Sequence, residues 1–272
     1  MSPTAFALLV LLGLAVGSFG TLVGAGGGFV LTPVLLILYP RDSASTITAI
    51  SLVVVFFNAL SGSLAYARQR RIDYRSGLAF AAATLPGAVA GVLVVSFAPR
   101  RVFDILMAIM LAAVAVWLVA RRHRSPHAAR GQAINRHLRA RDGSEYVYRA
   151  RVGAGTAVSV AVGFVSSFLG IGGGVLHVPV LIGLLGFPVH VATATSHFVL
   201  VNMSAVATAT HALKGSFAAP DAITRAVALS LGVVIGAQGG AWASRRVHGD
   251  VIRWLLAAAL LGLSLRLLLA AA

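Results

Sequence analysis

Cysteine is absent from this 272-residue chain, and acidic side chains are scarce. The first absence excludes a disulfide framework, a thiolate nucleophile and any cysteine metal site. The second is nearly as restrictive. The chain has only seven carboxylates: Asp42, Asp73, Asp104, Asp142, Glu145, Asp221 and Asp250. All of them fall between apolar runs or near their ends. No carboxylate pair, His-Glu-x-x-His or Ser/His/Asp arrangement lies within an apolar run. No catalytic residue, metal or cofactor is therefore expected, and an intramembrane enzyme is the most distant reading. Charged residues make up 11% of the chain, against about 25% in soluble domains.

What the chain does have is long uncharged runs. Residues 2–40, 43–67, 76–99, 105–120, 152–213 and 226–244 contain no Asp, Glu, Lys or Arg. A helical span needs roughly 20 mostly apolar residues, so the sequence reads as an all-α polytopic membrane protein of about eight spans. The last span starts near Val251, with Arg253 and Arg266 close enough to its ends to snorkel. The N-terminal run lacks a basic leader and is too long for a signal-peptide core, so it reads as a span. The net charge is +15. On a soluble protein that would suggest nucleic acid. Here the arginines sit in loops, where positive charge holds a loop in the cytoplasm, and no nucleic-acid partner is expected. Residues 121–151 carry nine arginines against Asp142 and Glu145. They read as a basic cytoplasmic loop, partly disordered, touching anionic lipid headgroups.

Two halves flank that loop: residues 1–120 and 152–272, each with about four spans. Gly24, Gly26, Gly27, Gly28 and Pro33 correspond to Gly170, Gly172, Gly173, Gly174 and Pro179 at an offset of 146. Further along the offset is 145, matching Thr48, Ala49 and Ser51 to Thr193, Ala194 and Ser196, and Gly87 and Gly91 to Gly232 and Gly236. This pattern is an internal duplication, a common build for secondary transporters.

The first segment of each half is too long for one span. Residues 4–39 as a single helix would run roughly 54 Å at 1.5 Å per residue, through a hydrocarbon core of about 30 Å. The triple glycine sits near the middle. A helix broken there, or a span followed by a half-length re-entrant helix, accounts for the length. Loop charges do not choose between these. Whether each first segment counts as one crossing or two, sixteen Lys and Arg fall on the cytoplasmic side and six on the other. Parallel and inverted repeats therefore tie, and both place residues 68–75 and 121–151 inside.

Irregular backbone at membrane depth is tolerated where protein buries it or a cavity solvates it. A half-helix that starts after such a break points its N–H groups and positive dipole end into it, which suits an anion. Small residues also line helix contacts in membranes; that reading is favoured for Gly87 and Gly91, and a ligand site for the duplicated triple glycines. The candidate substrate-binding residues are Gly24, Gly26, Gly27, Gly28, Thr48, Ser51 and Asn58 in the first half. In the second they are Gly170, Gly172, Gly173, Gly174, Thr193, Thr195, Ser196 and Asn202. His177 and His197, both in the second half, are candidates for proton coupling, with pH dependence between about 5.5 and 7.5.

The stretches "GAGGGFVLTPVL" and "GIGGGVLHVPVL", followed by "TAIS" and "TATS", resemble the sulfite exporter TauE/SafE family of membrane transporters over roughly residues 8–120 and 155–270. The resemblance implies a multi-pass inner-membrane permease for a small sulfur-containing anion, such as sulfite or an organosulfonate, working by alternating access. A homodimer is compatible with it. The alternative is a non-transporting assembly or accessory protein whose glycines serve helix packing.

Overall fold

The computed structural model describes residues 1–120, 134–244, 246 and 249–271. Among these are ten helices and one hairpin: α1 (Pro3–Val23), α2 (Gly28–Leu38), α3 (Ala44–Arg68), α4 (Tyr74–Val95), α5 (Arg100–Ala120), β1 (Ile134–Arg139), β2 (Glu145–Ala150), α6 (Val152–Leu169), α7 (Gly174–Gly183), α8 (Val189–Leu213), α9 (Ala222–Ala243) and α10 (Gly249–Ala271). Among the described residues, α1, α3, α4, α6, α8 and α9 are long and apolar enough to cross a membrane. Local chemistry sets several boundaries. Ser2, Ser43 and Asp73 cap α1, α3 and α4 through their side-chain oxygens, satisfying amides that have no partner inside the helix.

Each half's first helix packs along the other half's fourth, α1 on α9 and α6 on α4. The third helices behave likewise, α3 on α9 and α8 on α4, while α3 pairs with α8 and α5 with α10. Exchanging α1–α5 for α6–α10 leaves this pattern of pairs unchanged. Glycine makes the closest contacts possible. A Cβ on Gly232, Gly236 or Gly240 would fall on the carbonyls of Val10, Leu14 or Ser18. One on Gly87 or Gly91 would fall on those of Val160 or Phe164. Gly87 and Gly91 thus do what small residues do between membrane helices, bringing backbones together.

Ion pairs and hydrogen bonds locate the helix ends. The Met1 ammonium lies 3.4 Å from Asp221. Arg225 binds Asp42 at 2.6 Å, Arg100 donates to the Asp42 and Leu36 carbonyls, and Lys214 donates to Ser96. The start of α1, the end of α2, and the starts of α3, α5 and α9 therefore share one face with the ends of α4 and α8. On the opposite face Arg71 binds Asp142, Gln69 donates to the Ala241 carbonyl, the Asp73 N–H donates to Thr195, and the Arg151 N–H donates to the Leu185 carbonyl. The ends of α3, α7 and α9, the starts of α4, α6 and α8, and the hairpin lie there. α1–α2 leaves the Met1 face and returns to it. α6–α7 leaves the hairpin face and returns to it. The halves are oriented oppositely, the arrangement that loop charges left undecided.

Within the basic central segment, residues 134–150 form a hairpin. Its strands pair antiparallel from Ile134 opposite Ala150 to Arg139 opposite Glu145, around a turn in which Gly143 has φ +83°. Tyr148 packs on Phe187 and donates to Asp73 at 2.8 Å, while Arg136 lies 3.4 Å from the same carboxylate. Burial and this partner push the Tyr148 hydroxyl pKa upward, so it stays a donor. Residues 121–133 of the expected loop lie outside the described residues.

Candidate functional site

α1 ends at Gly24 (φ +82°) in the left-handed region, and the Ala25 and Gly26 amides both turn back to the Gly20 carbonyl. Gly26 and Gly27 follow at φ +76° and +78°, a conformation that glycine adopts without steric cost. α2 then starts at Gly28. The second break uses Gly170 (φ +68°) and Gly172 (φ +61°). At Gly173 the φ is −33°, so the backbone there is right-handed; α7 has already begun to wind.

The two breaks clasp each other. A Cβ on Gly28 would lie 2.6 Å from the Ile171 carbonyl, and one on Gly174 would lie 2.6 Å from Ala25 Cα and the Gly24 carbonyl oxygen. Gly26 and Gly172 both abut Val55 in the middle of α3, and Gly26 also abuts Leu200 in the middle of α8. Thr48 packs on Gly170 and Thr193 on Gly24, a reciprocal pair. Residues 24–29 and 170–175 are buried, so this arrangement is closed to both faces. Cavities of about 410 and 490 Å³ lie at the hairpin face and in an apolar groove among α5, α6 and α7 that reaches Val175 beside the second break.

Polar groups collect at the clasp. Among the described residues the amides of Gly27, Gly28 and Phe29 meet no backbone acceptor, nor do those of Gly172, Gly173 and Val175. Asn58 accepts a hydrogen bond from Thr21 at 2.8 Å. Its buried Nδ2 has no partner and lies 3.3 Å from where a Gly27 Cβ would sit. Ser166 Oγ, also buried and unpartnered, lies 3.2 Å from the equivalent point at Gly173. Ser51 and Thr32 both reach the Gly170 carbonyl, at 2.6 and 2.8 Å. Ser196, the counterpart of Ser51, is buried with no partner. His197 contacts Thr21 Oγ1 at 3.4 Å and stands edge-on to Tyr66. His177 contacts Ser159 at 3.0 Å, beside Phe80.

Two expected site residues lie apart from this cluster. The Thr195 hydroxyl is taken by the Asp73 N–H at the hairpin face. Asn202 is half-buried and donates to its own helix at Phe198. Both fall on sides of α8 turned from the breaks. Thr21, Thr32 and Ser166 were not singled out from sequence, although all three flank or interleave the glycine motifs. Among the described residues no group of His, Asp or Glu could hold a metal ion.

The sequence profile of the sulfite exporter TauE/SafE family matches residues 9–267. The chain belongs to this family. It is 32% identical over 216 residues to the probable membrane transporter protein YunE of Bacillus subtilis, covering 77% of this chain and 79% of the relative. It is 27% identical over 194 residues to a probable membrane transporter protein of Methanocaldococcus jannaschii, covering 70% and 66%. No solved structure matches. Membership makes the chain a multi-pass membrane transporter and not an enzyme.

Proposed function

We propose that the chain is an inner-membrane permease for a small anion, sulfur-containing as the family description suggests, built from two duplicated halves in inverted topology. The observation that carries this reading is the clasp. Two half-helix N-termini with uncapped amides meet at mid-depth, beside an unpaired Asn58 amide and an unpaired Ser166 hydroxyl. Buried donors without acceptors are costly, by about 1–3 kcal/mol each, and an anion seated there satisfies several at once. Among the described residues neither Lys nor Arg stands at the clasp, so the anion is held by neutral donors and helix dipoles. Such a site releases its ligand more readily than a fixed cation would. Opening α1–α2 toward the Met1 face, or α6–α7 toward the hairpin face, exposes the same clasp to alternate sides.

The hairpin face is cytoplasmic on this reading. Chain segments joining helices there contain Arg68, Arg70, Arg71, Arg75 and the nine arginines of residues 121–151, and positive charge stays inside. Met1 then lies outside. The hairpin arginines are also where anionic lipid headgroups would touch. An anion leaving a negative-inside cell gains about 2.3 kcal/mol per charge per 100 mV, so export needs no coupled ion. The deciding experiment is flux from proteoliposomes loaded with sulfite, sulfate, thiosulfate or a sulfonate. Saturable, voltage-sensitive efflux of one of them is expected. No flux of any anion would sink the proposal.

A second reading has its own support. The clasp is closed, and Gly28 and Gly174 stand where any Cβ would strike the opposite break, so glycines serving only to pack would look similar. Packing alone gives no account of the free Asn58 amide, and it predicts that Asn58→Leu causes no loss of flux.

A further inference from the structure

Away from the clasp, at the hairpin face, the cavity of about 410 Å³ is lined by Arg68, Arg71, Arg141, Asp142, Gln69 and Trp242, among others. It lies where the ends of α3 and α9 meet the tip of the hairpin. Arg71 is buried, with 5% of its surface exposed. Its Nη2 donates to Asp142 at 2.7 Å, but its Nε and Nη1 have no hydrogen-bond partner. Three guanidiniums share this space with one carboxylate. The C-terminal ends of α3 and α9 offset part of the excess, yet they do not fill the open positions on Arg71. The planar fork of a guanidinium is Nη2 with Nε or with Nη1; Asp142 takes Nη2, so Arg71 Nε and Nη1 remain as single donors on different edges.

We infer that this cavity is a binding site for a multivalent oxyanion of the sulfate or phosphate type, free or carried on a lipid headgroup, held by the three guanidiniums that line it, Arg68, Arg71 and Arg141. Charge selects the ligand: lining side chains carry a net excess of two positive charges, so a divalent anion neutralises the site where chloride does not. Arg141 belongs to the hairpin and Arg68 to α3, so the bound ion also ties the hairpin to the membrane helices. Asp142 is held ionised, its pKa lowered to about 2 by the Ser144 hydroxyl and N–H first and by Arg71 second; it occupies Nη2 across the accessible pH range. The site is separate from the clasp and does not depend on the transport reading.

Trp242 reports on the cavity directly. In the full chain carrying Trp117→Phe and Trp254→Phe, in neutral detergent, sulfate is titrated against chloride at constant ionic strength. A saturable fluorescence change is expected, weakened about tenfold or more by Arg71→Gln and also weakened by Arg141→Gln, an exposed position whose change leaves the fold intact. Thermal stabilisation of the wild-type chain by sulfate provides a second readout. A parallel titration uses vesicles of nine parts phosphatidylcholine to one part phosphatidic acid. A response there with none to free sulfate assigns the oxyanion to a lipid headgroup. No saturable response in either arm, or one unchanged in both Arg→Gln variants, overturns the inference. Gly27→Val distinguishes this site from the clasp, because its sulfate response is retained whatever happens to flux.

Discussion

The first and second helix breaks share a backbone scheme and differ in what surrounds it. In the first half the break is left-handed at Gly24, Gly26 and Gly27; in the second only at Gly170 and Gly172. Around the first, Thr21, Asn58 and His197 form a linked polar chain. The positions matching Thr21 and Asn58 in the second half are Ser167, which has no partner, and the apolar Met203. Conversely the Gly170 carbonyl is locked by Thr32 and Ser51, while Val178 and the unpaired Ser196 occupy the matching positions near the first break. Symmetry of the backbone brings the two half-helices together; asymmetry of the side chains gives each a different share in any ligand.

Glycine substitutions test that difference most strongly. Gly27→Ala forces a side chain into a left-handed backbone, costing roughly 1–2 kcal/mol, and drives its Cβ to 2.8 Å from Val16. Gly173→Ala meets nothing closer than 3.2 Å, in a right-handed backbone. Flux in proteoliposomes is expected to fall about tenfold or more for Gly27→Ala and to change little for Gly173→Ala. Equal losses would mean that the breaks are functionally equivalent.

Side-chain asymmetry is tested next. Asn58→Leu removes the free amide and leaves Thr21 without its acceptor, so apparent affinity for the transported anion should weaken about tenfold. Met203→Leu, at the matching position, should leave affinity unchanged. Similar affinities in the two variants would remove Asn58 from the site.

The histidines sharpen the comparison further. His197 reaches Thr21 and through it Asn58, whereas His177 meets Ser159 beside Phe80. Flux at clamped voltage should depend on pH in the wild-type chain. His197→Gln is expected to flatten the profile and His177→Gln to preserve it. A wild-type profile in both variants makes these histidines structural.

The smallest effect belongs to the hairpin, which has no counterpart in the second half. The Asp142 pKa lies near 2 in the folded protein, depressed from 3.8. Its contribution is complete above the unfolded value and is lost as pH falls through about 2. Hydrogen-exchange protection factors over residues 134–150 should therefore be flat down to about pH 4 and fall below it. Asp142→Asn should show no such fall.

Much of the clasp was legible because glycine leaves a mark that other residues do not. Over-long uncharged runs demanded a break, and duplicated glycines marked where. Thr48 and Thr193 match each other at the repeat offset of 145, and each packs on the opposite break. Thr32 and Ser166 escaped notice because the residues at the matching offset are Val178 and Gly20, so a search for like residues passed over them. Thr195 and Asn202 were included because helical spacing does not say which side of α8 faces the breaks. The hairpin was hidden by charge. "RDGSEYVYRA" carries an Asp-Gly turn and alternating apolar residues, the usual signal for a hairpin, inside a segment whose nine arginines suggested disorder.

Length and hydropathy determined that this chain is a multi-pass membrane protein, and the paired glycine motifs marked two interrupted helices. These are local quantities, fixed by residue type along the chain. Whether α1–α2 returns to its own face was not among them, because loop charge totals are the same for either choice. Tertiary contacts decided it. Arg225 reaches Asp42 and the Met1 ammonium reaches Asp221, and only a hairpin that comes back can put the end of α2 beside the start of α1. The same return orients the second half opposite to the first and brings the two breaks into contact, since glycines 146 residues apart can meet only when folding places them in the same layer.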